Sequence, residues 1–402
     1  MKVKKFPVTI FALAAFAFAA PSSAQISGDV IKIGLVVDLS SLYADVTGQG
    51  SIEAIKLAIA DVGGAVGGKK IEIIFGDYQN KPDVATNLAR KWVDQEGVDV
   101  LMAATNSSAA LAIAKIANEK KKPFVVVSTG TARLTNEECN PYTIHYGVDT
   151  VAFAKSTGSA VVKRGGKTWY FLTADYAFGA SLEKDTSDVV KANGGTVIGS
   201  VKHPISASDF SSFLLKAQSS KAQILGLANA GGDLVNAIKA ANEFGINKTM
   251  KLAGLIMFVN DVHALGLNLT QGMYLTDSWY WDQDQDSRAW SKRYFEKMKK
   301  MPNSIHASSY SAALHYLRSV KATGTDDADK VLARMKATPI NDVLFKNGTI
   351  RPDGRMISDL YLRQVKSPAE SAYPWDYFKG GDRIPGNQAF TTKAESKCEF
   401  WK

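Results

Sequence analysis

Hydrophobic positions along the chain alternate between short β-branched runs and longer runs with helical spacing. Residues 30–37 have the composition of a buried strand, and the apolar positions of residues 51–62 recur every three to four places, as in an amphipathic helix. Further strands are predicted at residues 70–76, 98–103, 124–127, 168–173, 196–201, 223–228, 250–254 and 272–276, with helices at 84–95, 109–120, 151–162, 210–219 and 234–244. This alternation predicts an α/β fold with parallel sheets that carry helices on both faces.

The alternation forms two series that meet near residue 150, and a helical stretch follows residue 281. Three successive helices are predicted at residues 285–301, 305–322 and 326–336, and they should pack on an existing lobe because they have no strands of their own. Short strand-like runs follow at 343–345, 348–350 and 359–365, and the tail from residue 367 predicts irregular structure. The sequence therefore predicts two doubly wound parallel-sheet lobes.

The first 24 residues have the layout of a cleavable export signal. Its parts are a basic start, an apolar stretch and two small residues before the cleavage point: Lys2, Lys4 and Lys5, residues 8–20, and Ser22 and Ala24. The apolar stretch is too short to span a membrane, and no later segment offers about 18 uninterrupted apolar residues. We expect cleavage before Gln25 and a soluble mature protein in the periplasm; an uncleaved N-terminal anchor is the alternative.

Cys139 and Cys398 are the only cysteines of the chain. In an oxidising compartment such a pair can form a disulfide, which here would hold the C-terminal tail, although two separate thiols fit the sequence equally well. A lipoprotein needs a cysteine as its first mature residue, and Gln25 stands at that position. We therefore expect a protein that is not lipidated.

Charge and motifs bear on the kind of partner. The formal net charge is +9, but the lysines are spread over many predicted helices and not gathered into one stripe with aromatic residues, so we expect no nucleic-acid partner. Glycines at 63–64 and 67–68 follow a helix and precede a strand, the reverse of a dinucleotide-binding turn. The five histidines lack metal-binding spacing. We expect no catalytic residues, no cofactor and no metal.

Several short motifs occur along the chain in an order that is typical of one family. They are Ile31-Lys32-Ile33-Gly34, Asp38-Leu39-Ser40-Ser41-Leu42-Tyr43, the segment from Thr105 to Ala112, the segment from Pro123 to Thr131, Asp175-Tyr176-Ala177-Phe178-Gly179, Asp209-Phe210-Ser211 and Arg351-Pro352-Asp353-Gly354-Arg355. With these motifs the chain resembles the type I periplasmic binding proteins of ABC transporters, in the branched-chain amino-acid (leucine-binding) group, from residue 31 to about residue 365.

The resemblance implies a Venus flytrap fold whose two lobes are joined by three crossovers, near residues 146–150, 277–281 and 345–351. Residues 25–148 would then form the first part of the N-terminal lobe and 149–279 the first part of the C-terminal lobe. Residues 280–347 would return to the N-terminal lobe as helices, and 348–402 would complete the C-terminal lobe and the tail. The implied partners are a small-molecule ligand and the permease subunits of the transporter, and we expect a monomer.

In open α/β sheets, ligands bind beyond the carboxyl ends of the strands, where the strand order switches. Asn106 is suited to cap a helix there, and the N–H groups after it, with the hydroxyls of Ser107 and Ser108, predict a cradle for a carboxylate. The segment after the next strand, which ends at Ala132, adds the hydroxyls of Ser128, Thr129 and Thr131, and Gly130 lets the backbone approach a ligand. Simple capping of two helices is the alternative interpretation of these residues.

Aromatic side chains gather in the other loops that should face the cleft, namely Tyr43, Tyr146, Tyr176, Phe178, Phe258 and the run from Trp279 to Trp281. Flat apolar walls with an O–H or N–H group suit a flat ligand, although each of these rings could equally belong to the core, and the run at 279–281 could brace the hinge. Asn229, Met257 and Asp175 complete the predicted site.

The resemblance also bears on the ligand. Binders of α-amino acids carry a carboxylate after the strand that here ends at Gly254, whereas residues 255–258 contain no acid to offset a buried ammonium. We therefore expect a ligand with a carboxylate, no ammonium and an apolar or aromatic body, such as a benzoate or cinnamate. Asp175 or Asp233 could still bind an ammonium, which leaves a branched-chain or other amino acid as the alternative. A ligand-binding partner of a membrane sensor is the alternative of another class.

Overall fold

The computed structural model describes residues 1–4 and 25–402. Residues 5–24, which hold most of the predicted export signal, lie outside the described residues. Six strands form the first sheet, in the order β2-β3-β1-β4-β5-β6: β1 (Val30–Val37), β2 (Ala65–Val66), β3 (Lys69–Asp77), β4 (Val100–Ala103), β5 (Phe124–Val126) and β6 (Thr143–His145). All neighbours are parallel except β2, which pairs antiparallel with β3. The helices between them are α1 (Gly48–Asp61), α2 (Pro82–Asp94) and α3 (Ser107–Glu119).

A second sheet has four strands: β7 (Thr168–Ala174), β8 (Thr196–His203), β9 (Ile224–Ala228) and β10 (Lys251–Gly254). They are parallel throughout and lie in the order β10-β9-β7-β8. The helices around it are α4 (Thr150–Phe153), α5 (Ser159–Lys163), α6 (Ala177–Ala192), α7 (Ser211–Ser219) and α8 (Gly232–Glu243), followed by α9 (Val259–Leu265) and α10 (Leu267–Thr270). A π-helical turn, Ala154–Gly158, connects α4 to α5.

The last third of the chain adds helices and a small antiparallel sheet of order β11-β14-β15. Its elements in chain order are β11 (Tyr274–Asp277), α11 (Gln285–Met298), α12 (Ser304–Thr323), α13 (Ala328–Ala337), β12 (Thr349–Ile350), β13 (Met356–Ile357), β14 (Leu360–Val365), β15 (Phe378–Ile384) and α14 (Gly386–Ala389). Strands β12 and β13 pair only with each other in the described structure.

Strand β1 shows why the central strands are apolar without alternation. Ile31, Ile33 and Leu35 pack into the same core as α1 and α12, whereas Val36 points to the other face and packs with α2 and α3. A strand covered by helices on both faces has no solvent side that would need polar residues. The two sheets thus confirm the predicted fold class of two doubly wound parallel-sheet lobes.

The three predicted helices after residue 281 are present, and α12 packs along α1. The Arg293 guanidinium donates to both oxygens of Asp61, at 3.0 and 2.7 Å, and the Tyr310 hydroxyl donates to the same carboxylate at 2.7 Å. These contacts attach α11 and α12 to the helix that covers the first sheet. The residue limits of the lobes and the crossovers stay a prediction.

The structure corrects three details of the sequence-based fold. Residues 272–276 do not extend the second parallel sheet, because β11 pairs antiparallel with β14. Residues 343–345 form a turn, since the Asp342 carboxylate accepts the N–H groups of Leu344 and Phe345 at 2.8 Å each. The tail, predicted to be irregular, contains strand β15. Its pairing with β14 shifts register at Gly380 and Gly381, two glycines with positive φ, and this irregularity interrupts the apolar alternation along the strand.

A disulfide joins Cys139 to Cys398, with their Cα atoms 5.7 Å apart. It connects the segment before β6 to the C-terminal tail, which the Lys397 N–H also ties to Asn136 at 2.6 Å. Within the described part of the chain, no helix combines the length and the apolar character that a membrane span requires.

Candidate functional site

A cavity lies between the carboxyl ends of the two parallel sheets, with an empty volume of about 620 Å³ that includes its opening to solvent. Its aromatic wall consists of Tyr43, Phe153, Tyr176, Phe178 and Phe258, and its aliphatic wall of Val46, Val127, Val148, Ala230, Ile256 and Ile305. Polar and small residues complete it: Thr105, Ser128, Gly130, Gly147, Thr276, Asp277, Ser278, Ser304 and Ser308.

The topology explains this gathering. Tyr43, Thr105 and Ser128 stand in the loops that follow β1, β4 and β5, and Tyr176 and Phe258 stand in the loops that follow β7 and β10. The carboxyl ends of both parallel sheets therefore face one space, the position at which doubly wound sheets bind ligands.

Five of the predicted site residues lie on the cavity wall: Tyr43, Ser128, Tyr176, Phe178 and Phe258. The hydroxyls of Tyr43 and Tyr176 are hydrogen-bonded to each other. Burial raises the pKa of both phenols well above the ordinary value, so both keep their protons at neutral pH. Gly130 is required beside Phe178, because a Cβ at this position would lie 2.8 Å from the ring.

The predicted amide cradle at α3 is wrong in part. Asn106 does cap the helix, but its own side-chain oxygen accepts the N–H groups of Ser108 at 2.9 Å and Ala109 at 3.1 Å. Because the cap already uses these donors, they are not free for a ligand. The Ser107 hydroxyl accepts the Thr131 N–H at 3.3 Å. Asn106, Ser107 and Thr131 are buried but do not line the cavity.

Other predicted residues between the sheets also have structural partners away from the wall. The Thr129 hydroxyl donates to the carbonyl of Ala104, and the Thr131 hydroxyl bonds Ser181 of α6 at 2.9 Å. Ala132 begins a 3₁₀ turn.

The remaining aromatic and polar candidates likewise lie outside the wall. The Tyr146 hydroxyl bonds Ser311 at 2.6 Å, and the Trp279 indole donates to Ser287 at 2.9 Å. Asn229 bonds the His203 ring at 3.1 Å, and Met257 is buried in the core.

The acids that the sequence offered as ammonium partners do not reach the cavity. Asp175 is exposed and forms an ion pair with Lys202 at 3.0 Å. Asp233 is buried, accepts the Ser206 N–H at 3.1 Å and does not line the cavity.

Sequence reasoning missed Asp277, the last residue of β11, which lines the cavity and is only 3% exposed. Burial raises the pKa of its carboxyl to about 7, although the neighbouring Ser304 hydroxyl and the charge of Arg363 act in the opposite direction. Residues 255–258 contain no acid, but β11 brings Asp277 to the cavity wall. Asp277 is the first residue of the crossover predicted at residues 277–281. Its place in that crossover was the sequence feature that indicated a position between the lobes.

Ser304, Ile305 and Ser308 were also missed, since α12 was predicted only as a packing helix. Its first turn reaches the cavity, where Asn303 caps it by accepting the N–H groups of Ile305 and His306 at 3.0 Å. The return of the chain to the first sheet at this point brings hydroxyls to the wall.

Helix N-termini contribute partial positive charge to the cavity wall. Helices α3, α6 and α12 all begin at the cavity, and of these only α6 has no side-chain cap, so the N–H groups of its first turn stay available. No Lys, Arg or His side chain lines the cavity among the residues described. In the same part of the chain, no group of three or more His, Cys, Asp or Glu side chains is arranged to hold a metal ion. The wall is suited to an anionic group near α6 and to apolar surface elsewhere.

Comparison with known proteins places these features in context. Residues 30–371 match the family described as periplasmic binding protein. A periplasmic binding protein from Burkholderia mallei is 62% identical, with a TM-score of 0.92 over 93% of this chain and 100% of the other.

Two further solved structures are more distant. A branched-chain amino acid ABC transporter periplasmic ligand-binding protein from Burkholderia xenovorans LB400 is 38% identical, with a TM-score of 0.82 over 92% of this chain and 100% of its own. A solute-binding protein of an ABC transporter from Rhodopseudomonas palustris BisB5, in complex with 3,4-dihydroxybenzoic acid, is 24% identical, with a TM-score of 0.80 over 89% and 98%.

Proposed function

This chain belongs to the periplasmic binding protein family, and from that premise we propose that it captures a carboxylate-bearing aromatic solute between its lobes and presents it to the permease of an ABC uptake transporter. Proteins of this family bind small molecules and are not enzymes, and we extend that absence of catalysis to this chain. A benzoate- or cinnamate-like acid is the proposed ligand class.

The composition of the cavity wall carries this proposal. Five aromatic side chains and six aliphatic ones surround the space, and no basic side chain lines it in the described structure. Burying roughly 150 Å² of apolar ligand surface corresponds to about 4 kcal/mol at 25 cal/mol per Å². Micromolar affinity requires about 8 kcal/mol, so the polar end must supply most of the remainder.

The uncapped first turn of α6 is the group best suited to that polar end. Tyr176 and Phe178 bring this turn to the cavity, and the hydroxyls of Thr105 and Ser128, 3.3 Å apart, stand on the same wall. A helix N-terminus stabilises an anion by about 0.3–1 kcal/mol when exposed and up to ~2 kcal/mol when partly buried. Several such donors together favour a carboxylate without a salt bridge.

An amino acid is the second candidate, and Asp277 is the observation that favours it. A buried carboxylate on the wall could meet an ammonium group. The Burkholderia xenovorans relative is described as a periplasmic ligand-binding protein of a branched-chain amino acid ABC transporter, whereas the Rhodopseudomonas protein is in complex with 3,4-dihydroxybenzoic acid. The latter supports only that this fold can enclose an aromatic acid.

Calorimetric titration of the purified protein with benzoate, cinnamate and leucine tests the proposal. We expect micromolar binding of at least one aromatic acid and no binding of leucine. Phe178→Ala should weaken that binding at least tenfold, and Phe213→Ala, which alters an aromatic residue outside the cavity, serves as the matched control. Tight leucine binding without aromatic-acid binding would reject the proposal in favour of the second candidate.

Export is part of the same proposal. We propose that the chain is cleaved before Gln25 and works in the periplasm as a free, non-lipidated monomer without a nucleic-acid partner. N-terminal sequencing of the periplasmic protein, with its native mass and sedimentation, checks each point. Gene neighbours that encode a sensor kinase without a permease would favour a sensing role.

A further inference from the structure

Asp277 is the one acid on the cavity wall in the described structure, and the proposed function leaves it without a role. The residue ends β11 and is 3% exposed, and its Oδ1 atom has no hydrogen-bond partner among the described residues. A buried carboxylate oxygen without a donor is costly to fold. Its position on the wall makes a ligand the group that can supply this donor.

The charge of Arg363 bears on which donor fits Asp277. Arg363 lies on β14, the strand paired with β11, is 7% exposed and lowers the pKa of Asp277 by its charge. Its guanidinium lies over the rings of Tyr280 and Tyr361, at 5.2 and 5.3 Å, and donates to the side-chain oxygen of Gln283 at 3.4 Å. Arg363 therefore offsets the charge of Asp277 in part, while burial still keeps the pKa of Asp277 raised.

This arrangement discriminates between ligand groups. An ammonium would bring a second cation to a carboxylate that Arg363 already offsets, and a ligand carboxylate would meet a like charge. A hydroxyl donates a hydrogen bond and leaves the charge balance unchanged. Among these three ligand groups, a neutral hydroxyl is therefore the best hydrogen-bond donor for Asp277 in the presence of the Arg363 charge.

We propose that Asp277 accepts a hydrogen bond from a hydroxyl of the ligand, at the end away from the ligand carboxylate, so that the protein selects hydroxylated aromatic acids. This inference rests on the proposed function, because it takes an aromatic acid as the occupant of the cavity. Asp277 thereby sets specificity within that ligand class.

Calorimetric titration with benzoate, 3-hydroxybenzoate and 4-hydroxybenzoate measures the selectivity directly. In the unaltered protein at pH 8, above the pKa of Asp277, at least one hydroxylated acid should bind about tenfold more tightly than benzoate, as expected for a hydrogen bond to a charged acceptor. Asp277→Ala should bring this ratio close to one, with benzoate affinity within about threefold. Asp277→Asn, which keeps a neutral acceptor, should give an intermediate ratio and also covers the case in which the alanine variant does not fold.

The control is Asp188→Asn, which removes an exposed acid of α6 that pairs with Lys184 and does not line the cavity. Equal binding of benzoate and both hydroxybenzoates by the unaltered protein would overturn this inference and leave the proposed function intact. Binding of an amino acid that Asp277→Ala abolishes would overturn it in favour of an ammonium site. If no aromatic acid binds at all, both proposals fail.

Discussion

The hydroxyls of Tyr43 and Tyr176 form a hydrogen bond across the cavity. Tyr43 follows β1 of the first sheet, and Tyr176 follows β7 of the second, so the bond joins two lobes whose backbones are remote in sequence. Both rings line the ligand space. One pair of side chains on the cavity wall therefore links a loop of the first sheet to a loop of the second.

Removing either hydroxyl should weaken ligand binding. Tyr43→Phe and Tyr176→Phe each lose one hydrogen bond, worth about 0.5–1.5 kcal/mol, which corresponds to a roughly two- to tenfold rise in Kd. The double variant should be no weaker than the worse single one, because both substitutions remove the same bond. Titration calorimetry of all four proteins measures this cycle.

Tyr170→Phe is the control for that cycle, since its hydroxyl donates to the Ser200 carbonyl outside the cavity. Losses that add up in the double variant would show that the two hydroxyls act on the ligand separately and not on each other.

Much of the fold could be read from the hydrophobic pattern, because central strands such as β1 are buried on both faces and appear as short continuous β-branched runs, whereas the helices show apolar residues every three to four positions. The antiparallel strand β15 could not, since its sequence contains two glycines and several charges and only one of its residues, Phe378, is buried. Its pairing depends on β14, whose partner residues lie 13 to 24 positions away, and local sequence does not specify such a partner.

The candidate site was predictable where the residues follow a strand, as at Tyr43, Ser128 and Tyr176. Capping residues misled the prediction, because the features that make Asn106 resemble an anion site also allow it to satisfy its own helix. Asp277 was missed because the search for an acid followed one strand of the second lobe, whereas the chain supplies the acid from a strand in the small antiparallel sheet.

A second prediction concerns the buried ion pair between Arg355 and Asp149, whose closest atoms are 3.4 Å apart. Both residues are at most 1% exposed, and Arg355 also donates to the carbonyls of Gly147 and Met356. Arg355→Met should lower the free energy of unfolding by about 3–5 kcal/mol, because it leaves the Asp149 charge buried without its partner. Urea denaturation measures the loss.

Arg90→Met removes the exposed pair with Glu119, whose side chains are 50% and 58% exposed, and should change stability little. A loss at Arg355 no larger than that at Arg90 would show that the buried pair contributes nothing beyond a surface contact.

The disulfide supports a third prediction. Cys139 and Cys398 are 259 residues apart in sequence, so their bond restricts a long loop in the unfolded chain. The double variant Cys139→Ser/Cys398→Ser should lose about 2–5 kcal/mol of unfolding free energy. Urea denaturation with and without reductant is the measurement. Reductant should bring the unaltered protein to the value of the variant and leave the variant itself unchanged; identical stability of both proteins without reductant would contradict the expectation.

A fourth prediction concerns Asp261, which is 3% exposed and whose carboxylate accepts the Phe258 N–H at 2.8 Å. Burial raises the pKa of Asp261 to about 7, and Asp45 adds to the rise. Since its pKa in the unfolded chain is about 3.9, the folded state holds an extra proton between these values, and the stabilisation present below pH ~4 is lost as the pH rises towards 7.

Asp261→Asn keeps an acceptor but does not titrate, so its unfolding free energy relative to the unaltered protein should increase by roughly 1.4 kcal/mol per pH unit across this window. Buried His306, whose pKa burial lowers to about 3, has the opposite effect on stability in both proteins and cancels in the difference. Urea denaturation at pH 4, 5.5 and 7 measures the slope, and a difference that stays constant with pH would show that Asp261 ionises in the fold as readily as in the unfolded chain.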